Sequence, residues 1–381
     1  MNNSTTALHE ENTHSESQPR NLFDYLAEAT QTFAEKPFCL EDSILFTQLS
    51  YLHLDGYVKG FKPFLSFGTP ISKLAESSVM EQISRSMRIP EDTCRMLRLA
   101  SKSRRFGKIR VKYFAEHTDT ETEKQFAAVT FLLDNSTAFV AFRGTDNTIV
   151  GWRENFNMAY MTPVPSQAES AEYLRNVINR LRTRKVYVGG HSKGGNLALY
   201  ASAFCGIREQ TRILGIYNLD GPGFKDDILS REEMRRIKDR IYSVLPQSSM
   251  IGTLLKSVGW QMIVHSEGEG FDQHNPVNWH FDGMRLSEAE ALSKDAIVFD
   301  RVLDKWLEKL DNAQRQLIVD TMFRIIAKSG ADSFNDVLSM IQNGDINALR
   351  VIKDMEPETR RRLIPLFKDL GVAYIREKIR R

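Results

Sequence analysis

Cysteine and excess charge are both scarce in this sequence. Its 381 residues include only three cysteines, Cys39, Cys94 and Cys205, an odd number at wide spacings. Such a set excludes a disulfide framework and the paired cysteines of a zinc site, so we expect reduced thiols. The formal net charge of +2 lacks the basic excess with which a nucleic-acid binder attracts phosphates. No nucleic-acid partner is therefore expected.

Long apolar stretches are missing as well. No run approaches the ~20 apolar residues that a membrane-spanning helix needs. The first 18 residues are polar and acidic, without the basic start and apolar centre of a secretory signal. We therefore expect a cytoplasmic protein. We also expect a disordered tail over residues 1–20, because that segment has too little apolar surface to offset the entropy of ordering it.

The composition is otherwise that of an ordinary globular protein, with 41% hydrophobic and 26% charged residues. Between residues 21 and 284, short β-rich runs alternate with stretches of helical periodicity. We predict strands over 108–117, 125–134, 137–142, 185–189, 212–219, 240–245 and 260–266. We predict helices over 41–51, 78–103, 170–183, 196–204 and 230–238. This alternation is typical of an α/β fold with a mostly parallel sheet covered by helices.

Residues 285–381 have a different pattern, because the strand signals stop and helical periodicity continues. We predict a helical C-terminal region appended to the domain over residues 21–284. From Arg350 onward, Lys and Arg outnumber Asp and Glu, and three arginines stand together at 360–362. This excess indicates either a solvated helix face or contact with an acidic surface or membrane headgroups.

A candidate nucleophile lies in the run 190–195, GHSKGG, between a predicted strand and a predicted helix. In a G-x-S-x-G turn of this kind, small residues allow a tight bend that lifts the serine hydroxyl above the sheet. The helix that follows aims its positive end at the site, which favours developing negative charge. Ser192 is therefore predicted to be the nucleophile of a serine hydrolase. The alternative is a structural strand-turn-helix junction that happens to contain a serine.

Acyl transfer also needs donors where an oxyanion will form. The backbone N–H of the residue after the nucleophile, Lys193, is one predicted donor. A second is expected from an earlier strand end, and the run 139–146, FVAFRGTD, ends a strand in that place. Thr145 in that run can donate through its N–H and its hydroxyl. The alternative is a plain strand with a polar end.

Several motifs resemble those of known lipases. Three motifs are similar in order and spacing to those of class 3 lipases: FRGT at 142–145, Trp152 with 154–155, and GHSKGGN at 190–196. Further segments resemble the uncharacterised Mbeg-type branch of bacterial lipase-like proteins: 21–26, 48–51, 220–224 and 273–276. The resemblance spans roughly residues 21–279. It implies an α/β-hydrolase fold and favours Thr145 as an oxyanion donor.

The catalytic base should follow Ser192, because in this fold the chain order is serine, acid, histidine. His265, His274 and His280 lie downstream. His265 falls within a predicted strand, whereas His274 lies in the loop after it, where a base at a strand end belongs. The resemblance to the Q-H-x-P segment at 273–276 points to the same residue. We predict His274 as general base; the alternative is a surface or turn-capping histidine.

The third member of the site should be a carboxylic acid. The resemblance to class 3 lipases implies an aspartate just after the strand over 241–245, but the chain continues over 246–252 without a carboxylate. Asp220, at the end of the preceding predicted strand, is the preferred substitute. The alternative for Asp220 is to cap the Gly-Pro turn that follows it. Glu267 and Asp272 are further candidates.

These residues predict a serine hydrolase that cleaves an acyl ester, such as a lipid, without a metal or organic cofactor. The apolar run 250–260 is either a lid or acyl-binding wall beside the site, or simply core. A rival hypothesis is a non-catalytic lipase-like scaffold that binds a membrane or protein partner, which the missing carboxylate favours. A thioesterase or peptidase on the same fold would use the same residues.

Overall fold

The computed structural model describes residues 19–62, 66–85, 90–146, 148–268, 270–329 and 356–379. Most of the tail predicted over residues 1–20 lies outside these ranges. Arg20 is described, and it forms an isolated antiparallel bridge with Phe281. The described chain therefore starts against the folded domain.

Eight strands form one sheet in which neighbours follow chain order. They are β1 (Thr69–Pro70), β2 (Arg110–Asp119), β3 (Lys124–Leu132), β4 (Thr137–Phe142), β5 (Lys185–His191), β6 (Ile213–Leu219), β7 (Ile241–Pro246) and β8 (Trp260–Val264). The pairings from β1 to β4 are antiparallel, and those from β4 to β8 are parallel. A separate two-stranded sheet pairs β9 (Phe281–Asp282) with β10 (Arg285–Leu286).

Helices surround the eight-stranded sheet. The first group is α1 (Leu22–Glu28), α2 (Leu40–Leu49), α3 (Ile71–Leu74), α4 (Ser77–Ile83), α5 (Pro90–Lys102), α6 (Ile149–Asn157) and α7 (Pro165–Leu181). The second group is α8 (Lys193–Phe204), α9 (Ile207–Gln210), α10 (Asp226–Leu229), α11 (Glu232–Arg235), α12 (Lys294–Glu308), α13 (Asn312–Ser329) and α14 (Pro357–Ile379). Short 3-10 turns cover Lys238–Arg240, Gly270–His274 and Pro276–Asn278.

The sheet has a hydrophobic core on each face. Successive residues of a strand point to opposite faces, so Phe139 of β4 belongs to one core and Val140 to the other. The core around Phe139 includes α2 and α5, and the core around Val140 includes α7 and α8. Burial on both faces explains why β3 and β4 are almost continuously apolar.

Most predicted elements are present, but two predicted helices differ in extent and several short elements were not predicted. The helix predicted over 78–103 is divided into α4 and α5, and Pro90 begins the second because proline suits a first helical turn. The helix predicted over 230–238 is shorter: only α11 (Glu232–Arg235) lies within it, and a 3-10 turn begins at Lys238. The short elements β1, α3, α9, β9 and β10 were not predicted. Helix α6 was not predicted either. It begins at Thr148, whose hydroxyl accepts a hydrogen bond from the Gly151 N–H.

The helices after residue 285 contact the sheet domain and one another. Helix α13 packs against α6, with Val319 and Phe323 buried beside Trp152. Arg153 of α6 pairs with Asp320 of α13 at 3.0 Å. Helices α12 and α14 form a second packed pair. The short strand β10 (Arg285–Leu286) lies in the region predicted to be helical, and the elements described after it are helices.

The architecture is that of an α/β-hydrolase. A mostly parallel sheet carries helices on both faces, and the β5-turn-α8 junction projects from its carboxyl edge. The part of the chain that the structure describes has no helix with the length and apolar character needed to cross a bilayer.

Candidate active site

Ser192 occupies a strained turn between β5 and α8. Its backbone has φ 58° and ψ −132°, which is unfavourable for a residue with a side chain. A Cβ on Gly190 would lie 2.7 Å from the backbone nitrogen of Gly195, and one on Gly194 would lie 3.0 Å from that of Gly144. Only glycine allows these close approaches, so the turn has the form that the GHSKGG run predicts.

Asp220 and His274 form a buried pair. His274 Nδ1 lies 2.6 Å from Asp220 Oδ2, and neither side chain is appreciably exposed. The other carboxylate oxygen, Oδ1, accepts hydrogen bonds from Ser249 Oγ at 2.5 Å and from the Gly252 N–H at 3.1 Å. The carboxylate is thus held from both sides, and it orients the imidazole.

The Asp220 carboxylate does not cap its own Gly-Pro turn, which was the alternative interpretation. That turn is closed by Asn218, whose Oδ1 accepts from the Gly221 N–H at 3.0 Å while its Nδ2 donates to the Gly221 carbonyl at 3.1 Å. Asp220 itself has φ 48°, a conformation that aspartate tolerates better than most residues. Its carboxylate is therefore available to His274.

The expected aspartate after β7 is replaced by a serine. Ser249 lies in the segment 246–252 that has no carboxylate, and its hydroxyl binds Asp220 from the preceding strand end. The same segment supplies the Gly252 N–H. The run 250–260 is therefore tied to the acid at this end, and Leu254 accepts a further hydrogen bond from the Gly223 N–H.

Backbone contacts hold the Asp220–His274 pair beside the serine turn. The Ser192 N–H donates to the carbonyl of Leu219, the residue before Asp220, at 2.9 Å. His191, the residue before Ser192, donates from Nε2 to the His274 carbonyl at 2.7 Å, and the two imidazole rings are 4.4 Å apart. The structure therefore brings the predicted serine, acid and histidine to one edge of the sheet.

The sequence analysis did not identify the contact between His191 and His274. A carbonyl only accepts hydrogen bonds, so Nε2 of His191 is protonated and donates to the backbone carbonyl of His274. In the neutral ring, Nδ1 then accepts from the Tyr51 hydroxyl, 3.1 Å away. Tyr51 belongs to the segment 48–51 singled out by the family resemblance, but its partner lies 140 residues away in the chain.

Thr145 lies at the end of β4 next to the serine turn. A Cβ on the preceding Gly144 would be 3.2 Å from Ser192 Cβ, so this loop and the turn are in contact. The Thr145 hydroxyl oxygen is buried, and among the described residues it has no hydrogen-bond partner. A buried hydroxyl without a partner is costly and needs an explanation, and a ligand oxygen would supply one.

The side chain of Lys193 plays a part that its predicted backbone role did not anticipate. Its ammonium is fully buried and donates to Glu154 Oε2 at 3.0 Å and to Gln125 O and Oε1 at 2.6 Å each. Burial lowers the pKa of Lys193, and the neighbouring Glu154 opposes that change. Glu154 was noticed only as part of a motif, yet it anchors α6 beneath the turn.

Aromatic rings line one side of the imidazole. The Phe271 ring lies 5.0 Å from that of His274, and the Trp152 ring lies 6.2 Å from that of Phe271. Trp152 comes from α6 and belongs to the same apolar cluster as Val319 and Phe323 of α13, against which Phe271 also packs. This wall of Trp152 and Phe271 gives the surroundings of His274 an apolar character.

The other candidate residues lie elsewhere. His265 contacts Gln247 through Nδ1 at 3.0 Å. His280 lies 3.8 Å from Glu267, and burial lowers its pKa. Glu267 therefore faces His280, and the pairing with His274 belongs to Asp220. The described residues contain no cluster of three His, Cys, Asp or Glu side chains that would hold a metal ion.

A family model described as Mbeg1-like matches residues 100–324, more than half of the chain. The match contains β2 to β8 and extends through α12 into α13. No curated protein is similar enough to match.

Solved structures of lipases are similar at low identity. A fungal lipase covers 66% of this chain and 84% of its own, with 12% identity and a TM-score of 0.39. A mutant form of MDLA from Penicillium cyclopium covers 65% and 84%, with 13% identity and a TM-score of 0.38. The Rhizomucor miehei lipase in its propeptide complex covers 44% and 64%, with 16% identity and a TM-score of 0.32, so this chain spans just under two thirds of that lipase.

Proposed function

The chain belongs to the Mbeg1-like family, and we propose that it is a serine hydrolase that cleaves acyl esters through an acyl-enzyme on Ser192. The observation that carries the proposal is the buried contact of 2.6 Å between Asp220 and His274 beside a strained serine turn. A serine, an oriented histidine and a carboxylate in this chain order are the parts of a Ser-His-Asp triad.

In the proposed reaction, His274 Nε2 takes the proton of the Ser192 hydroxyl while Oγ attacks the ester carbonyl. The tetrahedral intermediate collapses, and His274 gives its proton to the departing alcohol. A water molecule then attacks the acyl-enzyme as His274 takes the water's proton. The acid is released when the proton returns to Ser192 Oγ. Asp220 keeps the proton of the imidazole on Nδ1 and stabilises the positive ring.

The negative oxygen of the intermediate is stabilised by Thr145 and Lys193. The Lys193 N–H is in the first turn of α8, where backbone donors have no acceptor within the helix. The buried Thr145 hydroxyl supplies a second donor. Hydrogen bonds of this kind are stronger in a buried site than in bulk solvent.

The proposed substrate class is an ester with an apolar acyl chain. The wall of Trp152 and Phe271 beside His274 suits a hydrocarbon better than a charged group. A thioesterase or a peptidase would use the same catalytic groups. A panel of esters, thioesters and anilides with acyl chains of different length distinguishes these activities, and we expect the ester with a medium or long chain to react fastest.

The rival proposal is a scaffold that has lost catalysis. Its main support was the segment 246–252 without a carboxylate, and Asp220 answers that objection by reaching His274 from the preceding strand end. Ser249 in that segment supports the acid instead.

A fluorophosphonate probe tests the proposal, because it labels serines that are activated by a base. We expect the wild type to be labelled and both Ser192→Ala and His274→Ala to lose the label. The matched controls are His265→Ala and His280→Ala, which remove the other downstream histidines and should leave labelling intact. A folded wild type that takes no label would support the scaffold.

A further inference from the structure

Helix α14 carries apolar side chains on its exposed face. Ile364, Val372 and Ile375 are 51%, 38% and 58% exposed. In chain order, these three residues and two cations are Arg361, Ile364, Lys368, Val372 and Ile375. Successive members are three or four residues apart, which places all five on one stripe of the helix. We call these five residues the α14 stripe. Exposed apolar residues in such a row are a recognised sign of an interaction surface.

The charges of the α14 stripe are all positive. Arg361 and Lys368 are exposed within it, and the exposed Arg376 follows Ile375. The acidic Glu377 points away towards α12, where it pairs with Arg301 at 3.5 Å and Lys305 at 3.6 Å. Among the exposed charges of α14, the cations Arg361, Arg362, Lys368 and Arg376 outnumber the acids Glu358 and Asp369. The exposed surface of the helix therefore combines apolar side chains with a net positive charge.

The opposite face holds the helix in place. Leu363 and Leu366 are buried against α12, and the Trp306 indole N–H donates to the Leu366 carbonyl at 3.0 Å. Packing on that side fixes the rotation of α14 about its axis. The stripe is thus presented to solvent by the fold, and no rearrangement is needed to expose it.

We propose that the α14 stripe is a docking surface for an anionic phospholipid bilayer. An interfacial helix inserts apolar side chains at the headgroup level while long basic side chains extend to the phosphates. The apolar side chains are those of Ile364, Val372 and Ile375. The basic side chains are those of the cations beside them. A second copy of this chain is a poorer occupant, because two identical stripes would oppose positive charge to positive charge. The proposal goes beyond hydrolysis and does not depend on it.

Vesicle sedimentation tests this surface. The full-length protein is mixed with vesicles of phosphatidylcholine alone, or of phosphatidylcholine with phosphatidylglycerol. We expect binding to the anionic vesicles only, with release at high salt because counterions screen the attraction. Arg361→Glu with Lys368→Glu should weaken the partition by roughly tenfold or more, since each basic residue contributes measurably near an anionic surface.

The apolar part is tested by Ile364→Glu with Ile375→Glu. The matched control is Ile207→Glu, because Ile207 is also an exposed isoleucine, 63% exposed, but lies on α9. We expect the double variant to lose vesicle binding and the control to keep it. Wild type that ignores anionic vesicles, or a double variant that binds as well as the control, overturns the proposal. The proposal would also be overturned if the wild type formed a dimer and bound no vesicles, and if the double variant alone were monomeric.

Failure of this surface can be told apart from failure of the hydrolase proposal. Ser192→Ala should bind vesicles like the wild type, because sedimentation involves no chemistry. Ile364→Glu with Ile375→Glu should take up the fluorophosphonate probe like the wild type, because α14 packs on α12 and these two side chains are exposed to solvent. Loss of labelling in that double variant would show that the substitutions disturb the fold.

Discussion

Two buried side-chain pairs lie close to the nucleophile turn, and they differ in how their hydrogen bonds are used. In the pair formed by Lys193 and Glu154, the three ammonium protons meet three acceptors, and both carboxylate oxygens also accept backbone N–H groups. In the pair formed by His274 and Asp220, the carboxylate is equally well held, but the imidazole binds it through Nδ1 alone.

This difference indicates that one pair has a structural role and the other a catalytic role. A lysine whose protons are all bound in a buried site is fixed, and it ties α6 to the serine turn. An imidazole has a second ring nitrogen, so holding Nδ1 orients Nε2 for proton transfer. Removing the structural pair should therefore cost stability, whereas removing the other should cost turnover.

The largest expected effect is that of Asp220→Asn on turnover. The side-chain amide can present an N–H to the imidazole and favour the wrong tautomer, so kcat should fall by roughly 10⁴-fold, as for this change in Ser-His-Asp enzymes. Ester hydrolysis measured beside thermal unfolding checks it. The control is Asp227→Asn, an exposed aspartate on α10. Full activity in Asp220→Asn would mean that the two pairs do not differ in the way proposed.

The next effect is that of Lys193→Met on stability. It leaves the Glu154 carboxylate buried without its cation, which typically costs about 3–5 kcal/mol of unfolding free energy. Urea unfolding measures the loss. Adding Glu154→Gln should restore part of it, because the stranded charge is then removed. A loss below about 1 kcal/mol would show that the ammonium does not hold this region together.

Thr145→Val tests the oxyanion role next. The change keeps the side-chain shape but removes the buried hydroxyl, so kcat should fall by about 10²–10³-fold with little change in KM. Thr145→Ser keeps a hydroxyl and should recover most of the activity. Steady-state kinetics with one soluble ester decides the point. Equal kcat values for the valine and serine variants would exclude the hydroxyl from catalysis.

The smallest effect concerns a third pair that supports the Thr145 loop. Arg143 contacts Glu116 at 2.5 Å. Burial raises the pKa of Glu116, but hydrogen bonds and charge from His53 and Arg143 outweigh it and bring the pKa to about 2.

Because the folded-state pKa is depressed, the ionised Glu116 stabilises the protein fully above the ordinary carboxyl pKa of 4.5, and this contribution disappears as pH falls towards about 2. Glu116→Gln should flatten the fall of Tm across that window. Identical Tm curves for the variant and the wild type would contradict this assignment.

Local signals made much of the site predictable. The serine turn is set by six consecutive residues and the apolar runs beside them, so its conformation follows from sequence. The same holds for β4, whose predicted and observed bounds coincide at 137 and 142. His274 was predicted from its position after the last predicted strand and from the family resemblance, and in the structure it lies after β8, at the end of the 3-10 turn Gly270–His274.

Contacts between distant segments were less predictable. Asp220 and His274 are 54 residues apart, and the pattern around Asp220 fits a turn cap as well as a catalytic acid. Asn218 caps the turn by accepting a hydrogen bond from the Gly221 N–H, and only the tertiary structure shows this. The buried ammonium of Lys193 was missed because lysine is rarely buried, and nothing near it in sequence announces Glu154 or Gln125.

The amino-acid sequence alone determined the alternation of strands and helices, the glycine turn that presents Ser192 and the loop position of His274, since these depend on neighbours within a few residues. Tertiary structure decided which carboxylate orients the imidazole, which side chain closes each turn and which face of α14 meets solvent. The reason is physical: a hydrogen bond or a buried pair depends on distances of a few ångströms between segments, and chain spacing does not specify those distances.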